Sequence, residues 1–269
     1  MTSSLIAPRA TRRAPWGVLV VLAIAQFIVV LDITIVNVAL PNIQSNLDFT
    51  PEGLQWVISA YTLTFGGFLL LGGRAADLLG RRLVFVIGLI VFGATSLAAG
   101  LSVTPEMLVI LRAVQGIGGA LLSASAFSLL TVTFAHGRQR NIAMGVWGGL
   151  AGLGGTFGAV AGGYLVDAFS WQWVFLVNVP IVIALVIAAF PVITESRAQV
   201  TGARTFDIAG ALLSTAGVLS LILGVIEAGS AAQTLACMPE FFWELSFGIY
   251  LIVKGFKPAP LTTGVLDAR

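Results

Sequence analysis

The chain has almost none of the residues that build metal centres or covalent staples. One cysteine, Cys237, and one histidine, His136, stand in 269 residues. That excludes an internal disulfide and leaves no His/Cys cluster for zinc or iron–sulfur. Charge is equally scarce: Asp, Glu, Lys and Arg make up 10% of the chain, against roughly 25% in soluble domains. With 58% hydrophobic residues and a mean hydropathy of +1.00, a soluble globular domain and a disordered chain are both excluded. No block of like charges offers a nucleic-acid arm. No lysine follows the glycine runs as a phosphate loop requires, and no nucleophile is apparent beside a base. No enzyme, cofactor, metal site or nucleic-acid partner is therefore expected.

What the chain has instead is long apolar runs. A spanning helix needs about 20 mostly apolar residues, and seven runs approach or exceed that length: 16–40, 54–73, 83–103, 107–130, 142–166, 173–193 and 208–226. A weaker eighth run, 241–253, is short and contains Glu244; it either spans thinly or lies in the interface. The expected fold class is an all-α polytopic membrane protein, with the lipid bilayer as its first partner. Residues 1–15 read as an N-terminal tail, 16–194 as a six-helix bundle, 195–228 as a loop and linker helix seven, and 229–269 as a divergent tail. The first run outlasts a secretory h-region, shows no small-residue cleavage site and precedes further spans, so it is expected to stay as an anchor.

Orientation follows from the basic residues, which favour the cytoplasmic side. Arg9, Arg12 and Arg13 precede run one; Arg74, Arg81 and Arg82 lie between two and three; Arg138 and Arg140 between four and five. Arg197 and Arg204 lie between six and seven, and Lys254, Lys257 and Arg269 follow run eight. Thirteen of the 14 basic residues thus share one face if every run crosses. This places the N-terminus in the cytoplasm of a plasma membrane, in a bacterium the inner membrane, and accounts for a pI of 9.0 without an anionic partner.

Two ionisable residues remain inside the runs. A charge there costs roughly 2.5–3.5 kcal/mol on insertion scales, so it faces a cavity or a partner. At 1.5 Å per residue, Asp32 lies about 24 Å up helix one and Arg112 about 8 Å below the outer surface, at similar depth. If helices one to three and four to six are inverted repeats, the two charges point from equivalent helices toward a shared cavity. Desolvation opposes and a cation favours an ionised carboxylate, which makes Asp32 a candidate protonation site; a buried structural ion pair is the alternative. Gln26, Asn37 and Gln115 are the polar neighbours. Gln115 shares the face of Arg112, whereas Asn37 is rotated away from Asp32. As amides they either join helices or touch substrate.

Helix five carries nine glycines from Gly145 to Gly163, with Gly154, Gly158 and Gly162 at four-residue spacing, a ridge that lets another helix approach closely. Between runs two and three, GRAADLLGRR sets Asp77 one turn before Arg81, with Gly73 and Gly80 expected to mark the ends of a charged turn that suggests a latch.

These segments resemble the major facilitator superfamily, and within it the fourteen-helix drug:proton antiporters of the EmrB/QacA type. GRAADLLGRR (73–82) is similar to the loop motif GxxxDxxGRR, LRAVQGIGGA (111–120) to the helix-four motif, LDITIVNVALP (31–41) to the first-helix signature, and WQWVFLVNVP (171–180) to the start of helix six. The resemblance spans residues 16 to about 228. It implies a major facilitator-like N-terminal six-helix bundle plus one or two further helices. It also implies proton or cation coupling at Asp32 assisted by Arg112, a cavity that includes Asn37 and Gln115, and a conformational latch at Gly73, Asp77, Gly80, Arg81 and Arg82. The helix-five motif GxxxGPxxGG is met by GGTFGAVAGG (154–163), ending in Gly162 and Gly163, except that Ala159 replaces the proline and removes the expected kink.

Such relatives have two six-helix bundles, and here one is present. Residues 238–260 resemble instead the C-terminal helix of an unrelated small bacterial membrane-protein family, which suggests a fusion or rearranged reading frame near 229–237. The resemblance implies proton-coupled export of small hydrophobic or cationic compounds, with a second copy or another half-transporter completing the cavity. Without that partner, Asp32 and Arg112 are expected to face lipid or another chain. The competing reading is a non-transporting membrane protein that at most associates with a full-length relative.

Overall fold

The computed structural model describes residues 15–134 and 137–196, with isolated helical positions at Gly217 and Ser220. Run seven apart from those two positions, run eight, the tail from 229 and the flanking arginines Arg9, Arg12, Arg13, Arg197 and Arg204 lie outside these residues. The chain divides into two compact units, Met1–Leu219 and Ser220–Arg269, and the bundle belongs to the first. It contains α1 (Pro15–Leu47), α2 (Pro51–Leu79), α3 (Arg81–Gly100), α4 (Pro105–Thr133), α5 (Arg138–Ala168), α6 (Trp173–Leu176) and α7 (Asn178–Val192). The last two join into one apolar segment, so among the described residues six helices are long and apolar enough to cross a membrane. The protein is therefore an all-α, multi-pass membrane protein.

The helices outrun the apolar stretches because a helix continues into polar surroundings where hydropathy no longer marks it. Thus α1 passes through Pro41 to Leu47, at the loss of one backbone hydrogen bond. Two starts share one device. Thr50 and Thr104 cap α2 and α4, each accepting from the backbone N–H three residues on, with Pro at the first helical position and Glu52 or Glu106 in the first turn. The hydroxyl satisfies an orphan donor and the carboxylate complements the helix dipole.

Helices successive in the chain run in opposite directions, so α2 and α4, like α1 and α5, run the same way. At one end, Trp16 meets Phe134 at 5.6 Å and Arg81 N–H donates to Ser196 O. At the other, Asp48, Phe49 and Thr50 share a cleft with Pro105 and Glu106. Within the bundle α2 and α3 flank α4, and α5 lies along α1. α5 is unbroken from Arg138 to Ala168.

The α1–α5 seam is glycine against backbone. A Cβ on Gly154 would stand 2.9 Å from Phe27 O, one on Gly162 3.1 Å from Ile35 O, and one on Gly158 would meet Thr34 Oγ1. Thr34 Oγ1 also donates across the seam to Gly154 O at 3.3 Å. Gly163 faces nothing within 4 Å, so it stands outside this contact although the sequence motif includes it.

Candidate functional site

Asp32 on α1 and Arg112 on α4 meet in the bundle interior, Arg112 Nη1 to Asp32 Oδ2 at 2.6 Å. Relative exposure is 0% for Asp32 and 1% for Arg112. The expectation that they face lipid or another chain is thus corrected: the bundle interior buries both, which follows from the heavy cost of an unpaired charge in hydrocarbon. The pair is held on every side. Gln115 Nε2 donates to Asp32 Oδ1 at 3.0 Å, and Gln115 Oε1 accepts from Arg112 Nη1 at 2.8 Å. Arg112 Nε donates to the Val57 carbonyl of α2 at 3.0 Å.

Two members were not singled out from sequence. Asn178, at the start of α7, donates to Asp32 Oδ1 at 3.0 Å and to Ser96 Oγ at 3.1 Å. Ser96 on α3 also accepts from Gln115 and donates to Phe175 O. A neutral amide and a hydroxyl in apolar helices give no charge signal; only the asparagine in WQWVFLVNVP marked the place. Asn37 lies apart: it is exposed and its amide donates to Ile33 O in its own helix.

Above the guanidinium lies an aromatic stack. The Tyr61 ring is 4.2 Å from the Arg112 guanidinium carbon, within cation–π range, and Phe65 stacks on Tyr61 at 5.9 Å. Phe65 in turn lines a cavity of about 500 Å3, shared with Gln26, Ser123, Phe127, Trp147 and Asp77. Ser123 Oγ donates to Gln26 Oε1 at 3.0 Å. The ion pair and the cavity are therefore separate compartments joined through two aromatic rings.

The turn between α2 and α3 forms a third feature. Arg81 Nη2 pairs with Asp77 Oδ1 at 2.8 Å, and Arg81 Nε donates to Ser128 Oγ of α4 at 2.7 Å. The break is confined to Gly80, at φ +124°; Gly73 lies inside α2 and does not end the turn, a correction that follows from the helix running on to Leu79. Glu195, unmarked in the sequence reading, caps α3. Its carboxylate accepts from the N–H groups of Arg82 and Leu83 at 3.2 and 3.1 Å, and Arg82 Nη1 donates to Ile193 O. The acid at a helix N-terminus answers both the orphan donors and the dipole.

No group of three or more His, Cys, Asp or Glu suited to a metal occurs among the described residues. The Major Facilitator Superfamily profile matches residues 22–265. The chain is 44% identical over 209 residues to the cephamycin export protein CmcT of Amycolatopsis lactamdurans, covering 78% of this chain and 43% of that protein. It is 41% identical to the puromycin resistance protein pur8 of Streptomyces alboniger, over 80% of this chain and 42% of the relative. To the tetracenomycin C resistance and export protein of Streptomyces glaucescens it is 36% identical, over 81% and 40%. The chain thus spans less than half the length of these relatives. The crystal structure of a bacterial homologue of the human lysosomal transporter Spinster, inward-facing and unoccupied, aligns with a TM-score of 0.56 at 17% identity, over 72% of this chain and 46% of that one. The matched profile and these relatives together make the chain a member of the Major Facilitator Superfamily.

Proposed function

We propose that the chain is the first six-helix bundle of a proton-coupled exporter of small antibiotic-like molecules, of the fourteen-helix EmrB/QacA type. The observation that carries this reading is the Asp32–Arg112 pair, enclosed by four helices and joined by the Tyr61–Phe65 stack to the cavity. Proton and guanidinium compete for one carboxylate. Protonating Asp32 removes the anion that compensates Arg112, and a buried cation without its partner is strongly unfavourable, so Arg112 is driven to a new arrangement. That movement bears on Tyr61 and through it on Phe65 in the cavity wall. Gln115 positions the pair; Asn37 belongs to the face open to a second bundle.

The Gly80 turn, with Gly73, Asp77, Arg81 and Arg82 around it, latches one conformation. The Gly154–Gly158–Gly162 seam keeps α5 tight on α1, with Gly163 beside it. The N-terminus is cytoplasmic in the bacterial inner membrane, which also places the Gly80 turn there. Alternating access rocks one bundle against another, so the cavity is completed by a second copy or another half-transporter. Helix seven serves as linker, and residues 229–269 are a segment of different origin joined near 229–237. Sequencing the locus and its transcript tests that junction: a second bundle in a restored frame supports it, and an uninterrupted frame without one overturns it. The alternative, a remnant that only associates with a full-length relative, predicts membrane insertion without export.

Bacteria expressing the chain together with the second bundle of a relative should accumulate less puromycin than cells with either part alone, and a protonophore should abolish the difference. Equal accumulation in all three strains would leave the remnant reading.

A further inference from the structure

The groups around Asp32 can be followed hydrogen by hydrogen. Arg112 Nη1 donates to Asp32 Oδ2 and also to Gln115 Oε1. Gln115 uses both its amide hydrogens, on Asp32 Oδ1 and on Ser96 Oγ at 3.3 Å. Asn178 does the same, donating from Nδ2 to Asp32 Oδ1 at 3.0 Å and to Ser96 Oγ at 3.1 Å. Ser96 Oγ thus accepts twice and gives its own hydrogen to Phe175 O at 2.9 Å. One acceptor of this shell is left over: Asn178 Oδ1, buried with no hydrogen-bond partner among the described residues. Arg112 of α4 is the ion-pair partner of Asp32, and Tyr61 of α2 is the other titratable group beside the pair. The Tyr61 hydroxyl is also buried and makes no hydrogen bond among the described residues, Asp32 included; it stands against Gly119, where an added Cβ would lie 2.8 Å from it.

We infer that Asn178 is the positioning residue that reads the proton on Asp32, by turning its side-chain amide over. The inference rests on the reading of Asp32 as the protonation site. While Asp32 is ionised, Asn178 presents Nδ2 to it. A proton arriving from water adds to Oδ1, the oxygen that Arg112 does not hold, and no bond breaks elsewhere. The new hydroxyl then faces an N–H and has no acceptor, so it carries its full desolvation cost. Gln115 cannot answer it first, because its Oε1 is held by Arg112. Half a turn about the terminal torsion of Asn178, which is soft and nearly two-fold, exchanges N and O at almost unchanged shape. Oδ1 then stands where Nδ2 stood, within reach of the Asp32 hydroxyl, and Ser96 turns its hydrogen from Phe175 O to the same oxygen. Either orientation leaves one amide atom unpartnered, so the proton on Asp32 decides between them. Asn178 begins α7 and Ser96 belongs to α3. Protonation is thereby passed to α3 and α7 as well as, through Arg112, to Tyr61 on α2.

The test is infrared spectroscopy of the full chain in lipid nanodiscs, produced with asparagine carrying a heavy carbon isotope at the side-chain carbonyl and titrated from alkaline to acid pH. An amide carbonyl absorbs at higher frequency when it accepts no hydrogen bond than when it accepts two. The labelled Asn178 band is therefore expected to move to lower frequency as the carboxylic acid band of Asp32 appears, with one midpoint for both. Asp32→Asn, which places an amide that does not titrate, should abolish both changes. Asn178→Ser should remove the labelled shift and keep the acid band, because a hydroxyl donates or accepts without leaving its place; Asn178→Thr is the second variant in case the first does not fold. A labelled band that stays still while the Asp32 acid band appears would overturn the inference and leave the proton-coupling reading standing. A shift that survives in a folded Asn178→Ser or Asn178→Thr would do the same. Absence of an Asp32 acid band at every pH would overturn both readings, whereas a switching amide in a chain that exports nothing with a second bundle supplied would sink the export reading alone.

Discussion

Removing one member of the Asp32–Arg112 pair strands the other in an interior that excludes water. Arg112→Met leaves a carboxylate with only amide donors and should destabilise the bundle by about 3–5 kcal/mol, whereas Asp32→Asn with Arg112→Met, which removes both charges, should cost clearly less than the two single changes added. Thermal unfolding of the purified variants reads this directly; additive losses would mean the pair is not coupled. Asp32 and Arg112 were legible in the sequence because an ionisable group within an apolar run stands out at once, and Gln115 because it lies one turn from Arg112. Asn178, Ser96 and Trp147 were not legible in their roles. A neutral side chain in an apolar helix says nothing about which way it faces, and only packing turned these three toward the pair and the cavity.

At the scale of helices, spacing was informative where geometry is periodic and silent where it depends on a turn. The four-residue glycine spacing of α5 correctly marked a close-packed face. Which helix it faced came only from the fold. Gly158→Leu should force α5 off Thr34 and cost about 1–3 kcal/mol, as overpacking of a filled contact does. Gly163→Ala, with open space around it, should stay within about 0.5 kcal/mol. Equal effects of the two substitutions on unfolding would refute the seam as described. The Gly80 turn was visible as a cluster of charge, but its partner Glu195 lies more than a hundred residues away and carries no local signal. Glu195→Ala should remove the α3 cap at about 1 kcal/mol and raise hydrogen exchange at the Arg82 and Leu83 amides; unchanged protection there would show that the cap contributes nothing.

Across the described residues, the first six apolar runs were readable because hydrocarbon thickness sets helix length, and the helix ends were less so because polar helix extensions have no such ruler. The structure gathers Trp16, Arg81, Phe134 and Ser196 at one end, and Asp48 and Glu106 at the other. Which end faces the cytoplasm is proposed from the distribution of basic residues. With Cys237 replaced by serine, a cysteine at the exposed Asn46 should react with an impermeant maleimide in intact cells, and labelling only after permeabilisation would invert the topology.

In the proposed function, Asp32 links a proton gradient to export. Its most direct test is efflux from proteoliposomes that contain the chain and a second bundle, driven by an imposed pH gradient, with wild type compared against Asp32→Asn. The expected result is gradient-dependent efflux in the wild type and none above empty vesicles in the variant, at matched protein content and orientation. Undiminished gradient-driven efflux by Asp32→Asn, or wild-type efflux indifferent to collapse of the gradient, would contradict it.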